Sequence, residues 1–312
     1  MSAVLDKRLV FVTGKGGVGK STVAAALGTA AAARGRRALV CEVAGVERMP
    51  GALGHAGVGY RETELKPNLW AISIDPERAL EEYLRDQIGS STLYNVLFEN
   101  RIVSYLAAAT PGLRELLTIG KIWELAQLER RSPADTPYDV VIVDAPATGH
   151  GLGLLRTPRT FRDVARVGPI RRQADLIHSF VTDPRRTGVV CVALPEEMPV
   201  NETLELRRSL AAEMGMELDA VVVNALYPER FSAAEAERIE TAPSENASPA
   251  VHAALTAALA EHRRAQTQRT QLRRLRREAG DSLPSVTLPF LFERDLGLEA
   301  WARLGHELER SL

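Results

Sequence analysis

Short runs of valine, leucine and isoleucine recur along the chain and alternate with stretches of helical periodicity. Continuous apolar runs of this length are typical of strands that are buried on both faces of a sheet. The predicted strands lie at residues 8–12, 37–43, 69–74, 139–144, 188–194, 219–224 and 285–289. Because strands and helices alternate, we predict an α/β fold with a doubly wound, mostly parallel sheet flanked by helices.

Two stretches interrupt this alternation. Residues 76–132 and 152–186 have helical patterns without a convincing strand. We therefore predict one domain of 312 residues in which both stretches are helical insertions that form a subdomain on one side of the sheet. The polar residues 229–250 are predicted to be an exposed or partly disordered loop. Residues 249–279 are predicted to form one long basic helix that ends at Gly280.

Composition and charge narrow the class of protein. The chain is 45% hydrophobic and 25% charged, and its 39 basic and 40 acidic residues give a net charge of -1. Because the positive and negative charges are nearly equal in number, the chain has no overall electrostatic field that would hold nucleic acid or an anionic membrane. The N-terminal sequence lacks the features of a signal peptide, and the most apolar predicted helix is too short to span a bilayer. We expect a cytoplasmic protein with no nucleic-acid partner and no permanent membrane insertion.

The segment GKGGVGKST at residues 14–22 fits the phosphate-binding pattern G-x-x-x-x-G-K-[ST]. It follows a predicted strand and opens a predicted helix, which is the context that the motif requires. Lys20 would reach the β- and γ-phosphates, and the hydroxyl of Ser21 would hold Mg²⁺. The predicted nucleotide-contacting residues are Gly14, Lys15, Gly16, Gly17, Val18, Gly19, Lys20, Ser21 and Thr22. The segment therefore predicts binding of ATP or ADP with Mg²⁺.

A second carboxylate follows another predicted strand. Asp144 ends the run at 139–144, where it can hold the hydration shell of Mg²⁺ or act as a helix N-cap or turn residue. The small residues after it can move when the γ-phosphate leaves. His150 closes this segment and is a candidate for sensing the γ-phosphate or for a structural hydrogen bond. The predicted catalytic residues are Lys15, Lys20, Asp144 and His150.

These motifs resemble a known family. Lys15, directly after the first glycine, is similar to the extra lysine of the deviant P-loop ATPases of SIMIBI type, although it is also compatible with an ordinary solvent-facing lysine. The pattern D-x-P-x-T-G-H at 144–150 resembles the ArsA/Get3 family of ATPases. Further similar segments lie at residues 110–117, 194–210 and 221–228. The amino-acid sequence is most similar to that of the bacterial, single-domain ArsA-like branch.

The resemblance implies a dimer with ATP at its interface, in which Lys15 reaches the partner's nucleotide. The partner would be a second copy or an ArsA-like paralogue. Hydrolysis would open and close the pair and reshape the helical subdomains, which in some relatives shield a hydrophobic or membrane-protein client and in others serve arsenite export. The resemblance places Asn224 at the base-recognition position. Pro289 ends the last predicted strand and Phe290 follows it, and these two residues complete the predicted nucleotide-binding residues.

The chain departs from the family at one position. The family normally has a water-polarising aspartate after the second strand, and the matching residue here is Ala44. Glu42 and Glu47 lie nearby, and Glu47 could substitute after a loop shift. A positioning carboxylate contributes to hydrolysis rather than to binding. Two functions therefore stay open: a slow ATPase that handles a hydrophobic client, or an ATP-holding regulatory subunit of an active paralogue.

Three further features bear on partners. Cys41 and Cys191 fall in predicted core strands, so a thiolate site for arsenite export is not expected. The apolar stripe of residues 94–106 predicts either a core face or a client groove. Its members are Tyr94, Leu97, Phe98, Ile102, Tyr105 and Leu106. The basic run 263–278 predicts a solvated helix face packed by Leu272 and Leu275, with nucleic-acid or lipid binding as the alternative.

Overall fold

The computed structural model describes most of the chain. The described residues are 2–43, 47, 49–52, 54–55, 57–87, 110–129, 136–165, 167–242, 248–280, 282–294 and 296–311. Ala44 and the apolar stripe at 94–106 lie outside them, so the roles assigned to those residues stay predictions.

One sheet of eight strands organises the described chain. The strands are β1 (Leu9–Thr13), β2 (Ala38–Glu42), β3 (Thr63–Lys66), β4 (Leu69–Ser73), β5 (Val140–Asp144), β6 (Thr187–Ala193), β7 (Ala220–Leu226) and β8 (Ser285–Pro289). Their order across the sheet is β3-β4-β2-β5-β1-β6-β7-β8. All neighbouring pairs are parallel except β3 with β4. The predicted α/β fold with a mostly parallel sheet is confirmed.

The central strands are buried on both faces, as their continuous apolar runs predict. In β1, Leu9 and Phe11 belong to the hydrophobic core on one face of the sheet, and Val10 and Val12 belong to the core on the other. Side chains alternate between faces along a strand, so a run without polar residues supplies both cores at once. The sheet is thereby covered on both sides.

Helices lie on both faces of this sheet. They are α1 (Ser2–Leu5), α2 (Lys20–Ala33), α3 (Met49–Ala52), α4 (Pro76–Gln87), α5 (Leu113–Leu125), α6 (Thr148–Val164), α7 (Pro169–Val181), α8 (Glu197–Ser209), α9 (Ala233–Glu240), α10 (Pro249–Ala279) and α11 (Leu298–Ser311). Helix α8 continues into a π-helical turn, Leu210–Met214. Among the described residues, no helix combines the length and the apolar character that crossing a membrane would require.

The alanine-rich helix α2 is held by close packing. It lies against α11, where a Cβ on Gly305 would come within 2.9 Å of the carbonyl oxygen of Ala26. A larger residue at 305 would force the two helices apart. This contact fixes α2, whose first residue, Lys20, directly follows the glycine-rich loop.

Helices α4, α5, α6 and α7 occupy the two stretches predicted to be helical insertions. They contact one another in succession, α4 with α5, α5 with α6 and α6 with α7. The view that they form a separate subdomain stays a prediction.

The prediction for residues 229–250 is wrong in part, because α9 lies within it. Ser232 caps this helix: its hydroxyl accepts from the backbone N–H of Glu235, and the Glu235 carboxylate accepts from the backbone N–H of Ser232. This reciprocal capping box stabilises a helix start even in a polar segment. The long helix α10 follows as predicted and ends before Gly280.

Candidate nucleotide-binding site

The loop between β1 and α2 depends on glycine at two close contacts. Gly14 has φ of 147°, and a Cβ there would lie 2.1 Å from the carbonyl oxygen of Val192 in β6. Gly19 has φ of 92°, and a Cβ there would lie 2.3 Å from the side-chain nitrogen of Asn224 in β7. Since both positions are in the region of φ that disfavours side chains, glycine is required on two grounds. The loop is thereby seated on β6 and β7.

The first two side chains after the loop, Lys20 and Ser21, both make polar contacts. The Lys20 ammonium donates a hydrogen bond to the carbonyl of Lys15 at 2.9 Å. The Ser21 hydroxyl donates to Oδ2 of Asp144 at 2.5 Å. The N-terminus of α2 at Lys20 adds a partial positive charge, so the space beside this end of the loop suits an anion.

The side-chain oxygens of Ser21 and Asp144 are two adjacent ligands that suit Mg²⁺. Hydroxyl and carboxylate oxygens are hard ligands, and two adjacent ligands of one octahedral Mg²⁺ lie about 3 Å apart. The 2.5 Å separation of these oxygens is close to that spacing. No group of three or more His, Cys, Asp or Glu side chains in the described part of the chain could hold a metal by itself. A phosphate would therefore have to supply the further oxygen ligands together with water.

Asp144 is placed by the sheet register. It lies opposite Val12 of β1 on one side and Glu42 of β2 on the other. All three strands are parallel, so their carboxyl ends meet at one edge of the sheet, where ligands bind in open α/β folds.

The segment after Asp144 is tied to the loop. The Ala145 N–H donates to the carbonyl of Val12 at 3.0 Å, and the Thr148 N–H donates to the carbonyl of Gly14 at 3.2 Å. His150 is exposed in the first turn of α6. It lines an open cavity of about 800 Å³ together with Pro146, Glu47 and residues of β4, α4 and α5. The structure thus places His150 within the predicted switch segment, residues 145–151, in the wall of a cavity that residues 14–22 do not line.

Glu202 of α8 joins the loop and the switch segment, and the sequence analysis did not single it out. Its Oε1 lies 3.0 Å from the Lys15 ammonium, and its Oε2 accepts from the Thr148 hydroxyl at 3.2 Å. The Lys15 and Glu202 side chains are 32% and 31% exposed, so their ion pair is screened by water and contributes at most about 1 kcal/mol. Glu202 lies inside the segment 194–210, but the sequence there does not set it apart from the other glutamates of the segment.

The two acidic side chains near Ala44 in the sequence accept hydrogen bonds from backbone N–H groups. Glu42 is 2% exposed, and its Oε1 accepts from the Met49 N–H at 3.1 Å. The Glu47 carboxylate accepts from the N–H groups of Val58 and Gly59, each at 2.7 Å. Both side chains therefore brace the chain that follows β2.

A different set of side chains meets at the ends of β7 and β8. The Asn224 amide donates to the carbonyl of Val18 in the loop at 2.9 Å. The Phe290 N–H donates to the carbonyl of Leu226 at 2.9 Å, and Pro289 is the register partner of Leu226. The predicted residues Asn224, Pro289 and Phe290 are thus brought to one end of the sheet.

An aromatic cluster extends this end. The rings of Tyr227 and Phe290 are stacked at 4.5 Å between centroids, and Phe292 packs edge-on against both. The Arg264 guanidinium lies 4.9 Å from the Tyr227 ring. Phe292 is 57% exposed, so the cluster offers an aromatic surface to solvent. The aromatic residues in ALYP and PFLF of the sequence were the available signal for it.

The basic helix α10 packs through its apolar residues and pairs much of its charge. Leu272 and Leu275 are buried, as predicted. Several of its arginines pair with acidic side chains, among them Arg263 with Glu240, Arg269 with Glu229, and Arg274 with Glu278. Binding of nucleic acid or lipid by this helix stays an untested alternative.

Both cysteines are buried in strands, as predicted. Burial raises the pKa of the Cys191 thiol to about 11. Its sulfur lies 3.4 Å from the hydroxyl of Thr203. Neither thiol is placed to act as an accessible soft ligand.

Comparison with known proteins adds independent findings. The family model described as anion-transporting ATPase matches residues 7–175 and 165–245. The chain is 35% identical over 238 residues to the ATPase BagA of Mycobacterium tuberculosis (strain H37Rv), a match that covers 71% of this chain and 66% of that protein. It is 32% identical over 241 residues to a protein of Halobacterium salinarum that is named as an arsenical pump-driving ATPase. This match covers 73% of this chain and 37% of that protein. It is 26% identical over 253 residues to ATPase GET3 of Kluyveromyces lactis, covering 70% and 72%.

Proposed function

This chain belongs to the ArsA family of anion-transporting ATPases, and from that membership we propose that it binds ATP with Mg²⁺ and hydrolyses the ATP slowly. The observation that carries the proposal is the 2.5 Å contact between the Ser21 hydroxyl and the Asp144 carboxylate beside the glycine-rich loop. A lysine, a hydroxyl and a carboxylate at one helix N-terminus are the groups that P-loop ATPases use for a magnesium-bound triphosphate.

Each group has a definite task in this proposal. Lys20 exchanges the carbonyl of Lys15 for the β- and γ-phosphate oxygens, and the loop amides bind the remaining phosphate oxygens. Ser21 and Asp144 would hold Mg²⁺, whose charge would offset the negative charge of the phosphates. Thr148 and Glu202 connect the loop to the switch segment, so departure of the γ-phosphate is transmitted to α6.

We propose slow hydrolysis because of a residue that follows strand β2. The position that would orient the attacking water is Ala44, which has no polar side chain. Glu42 and Glu47 already accept hydrogen bonds from the backbone of residues 49–59. To orient a water, either carboxylate would have to give up those contacts.

The same observation favours a second candidate function. In it, the chain is an ATP-holding regulatory subunit that pairs with an active ArsA-like paralogue. The two functions differ in whether the purified chain turns over ATP alone or only after a paralogue encoded beside it is added.

We place the nucleotide at the interface of a dimer, formed with a second copy or with that paralogue. Lys15 reaches the partner's nucleotide in this arrangement. Within one chain its ammonium is held 3.0 Å from Glu202 and is partly exposed, so a stronger anion from the partner can displace that screened pair.

The proposed client is hydrophobic and is handled by helices α4 to α7. An apolar cavity of about 270 Å³ lies among them, with Leu113, Leu116, Trp123 and Phe161 in its walls. Rearrangement of these helices during the nucleotide cycle would alter this apolar surface. Arsenite is not proposed as cargo, because Cys41 and Cys191 are buried.

Two measurements on the purified chain test the proposal. Calorimetry with ATP and Mg²⁺ should show binding, and phosphate release should be slow but dependent on Mg²⁺. Absence of ATP binding at millimolar nucleotide would overturn the proposed function. Phosphate release that appears only with the paralogue present would select the regulatory function.

A further inference from the structure

Helix α10 carries a polar side chain that its basic outer surface does not explain. Gln268 is 4% exposed, and a buried amide requires hydrogen-bond partners. Its Oε1 accepts from the N–H of Tyr227 at 2.8 Å, and its Nε2 donates to the carbonyl of Ala225 at 3.2 Å. Since both ends of the amide are used, the side chain holds one orientation against the end of β7.

The backbone that Gln268 contacts is irregular. The register between β7 and β8 shifts between Val223 and Leu226. Within this shift Ala225 has φ of 57°, which residues with a side chain rarely adopt. A strand irregularity of this kind takes peptide groups out of the ladder. Gln268 supplies partners for two of those groups, so α10 stabilises the irregular strand end.

This irregular end lies between Asn224, the predicted base-recognition residue, and Tyr227. On one side of it, the Asn224 amide donates to the carbonyl of Val18. On the other side, the Tyr227 ring stacks on Phe290. A second residue of α10 holds the peptide on the other side of Tyr227, because Arg269 donates to the carbonyl of Tyr227 at 3.0 Å. The directions of Asn224 and Tyr227 thus depend on a backbone that α10 fixes.

We propose that Gln268 is a positioning residue for recognition of the nucleotide base. It holds the strand end that directs Asn224 and Tyr227 toward a purine whose phosphates lie on the loop. The inference rests on the proposed function, since it assumes that ATP occupies the loop. Gln268 reaches the ligand only through other residues, so its effect belongs to base discrimination and not to phosphate binding.

The test compares three variants by calorimetry with ATP, GTP and inorganic tripolyphosphate, each with Mg²⁺. Gln268→Met removes both hydrogen bonds at similar size, and Gln268→Glu keeps the acceptor for Tyr227. Gln266→Met, on the exposed side of the same helix, is the matched control. Loss of two hydrogen bonds predicts a roughly tenfold lower ATP affinity for Gln268→Met and a smaller loss for Gln268→Glu. The ratio of ATP to GTP affinity should fall with it, whereas tripolyphosphate affinity should stay within about twofold of wild type.

The outcomes separate the two proposals. A folded Gln268→Met chain with the wild-type ratio of ATP to GTP affinity overturns the inference, and so does an equal loss of tripolyphosphate affinity. If circular dichroism shows that Gln268→Met does not fold, the same criteria apply to Gln268→Glu. A wild-type chain that binds ATP and GTP alike also overturns the inference. A wild-type chain that binds neither ATP nor tripolyphosphate overturns the proposed function itself.

Discussion

The phosphate end and the base end of the candidate site are constructed in different ways. At the phosphate end, residues 14–22 supply the loop, the lysine and the hydroxyl, and Asp144 stands on the neighbouring strand. At the base end, Asn224 comes from a strand, Gln268 from a helix, and Phe290 from the residue after a further strand, and these elements are spread over a long stretch of chain. The first end is therefore specified locally, whereas the second forms only when the sheet and α10 are packed.

This difference determines what substitutions should reveal. The phosphate end works through a charged side chain and backbone groups in a fixed loop, so one change there should remove binding. The base end works through neutral amides and stacked rings, whose individual net contributions are smaller. The predictions below test this ranking.

The largest effect is expected for Lys20→Ala. The Lys20 ammonium donates to the carbonyl of Lys15 at 2.9 Å, and in the proposed function it provides the compact charge for the β- and γ-phosphates. Loss of several charge-assisted hydrogen bonds predicts an ATP affinity lower by about 100-fold or more. Calorimetry with ATP and Mg²⁺ measures it.

Lys66→Ala serves as the control for that loss, because Lys66 lies on the edge strand β3. It should bind ATP as wild type does. Unchanged affinity in Lys20→Ala would remove the glycine-rich loop from the nucleotide site and reverse the ranking of the two ends.

The next effect concerns hydrolysis at the phosphate end. Ala44→Asp places a carboxylate at the position that the family resemblance predicts to orient the attacking water. Such a group acts in the transition state, so kcat should rise while ATP affinity changes little. Positioned acid–base groups contribute about 10²–10⁴-fold, so a gain of at least about tenfold is expected. Steady-state phosphate release measures it.

Ala52→Asp is the matched control, because it adds the same charge at an exposed position of α3. It should leave the rate unchanged. A folded, ATP-bound Ala44→Asp chain that is no faster would direct attention to the switch segment or to a required partner subunit.

A smaller effect is expected at the base end. Asn224→Ala removes an amide that can pair with the edge of adenine and that also donates to the carbonyl of Val18. The preference for ATP over GTP should fall by a factor of up to about ten. Asn224→Asp retains the shape and an acceptor, so it separates loss of the donor from loss of packing. Equal preference before and after both changes would exclude Asn224 from base recognition.

The sequence predicts the central strands and the phosphate end well because their signals are local. Continuous apolar runs are visible without any partner, and the glycine-rich motif lies within a few residues. The edge strand β3 is different. Its sequence TELK has one buried residue, Leu65, so it lacks the apolar run that marks strands buried on both faces. Polar edge strands of this kind protect a sheet against pairing with other chains.

The residues that the sequence analysis missed depend on tertiary contacts. Glu202 is an unremarked carboxylate in a helix until α8 brings it to Lys15 and Thr148. Gln268 has polar neighbours in sequence, and its burial follows from the packing of α10 on β7. In contrast, the start of α9 has a local signature, Ser232 with Glu235 three residues later, that predicts a capping box.

The last prediction concerns Cys191, beneath the phosphate end. It lies in β6 next to Val192, whose carbonyl contacts Gly14. Burial raises its pKa from 9.0 to about 11, so in the folded chain the thiol keeps its proton at pH values where the unfolded chain has lost it. Because the folded state then binds more protons, the free energy of unfolding should fall as the pH rises from about 9 toward 11.

In a Cys41→Ala chain Cys191 is the remaining cysteine, and a thiol reagent at pH 8 should label it only after denaturation. Rapid labelling of the native chain would show that β6 opens beneath the loop, and the rigid phosphate end inferred from the Gly14 contact would then be wrong.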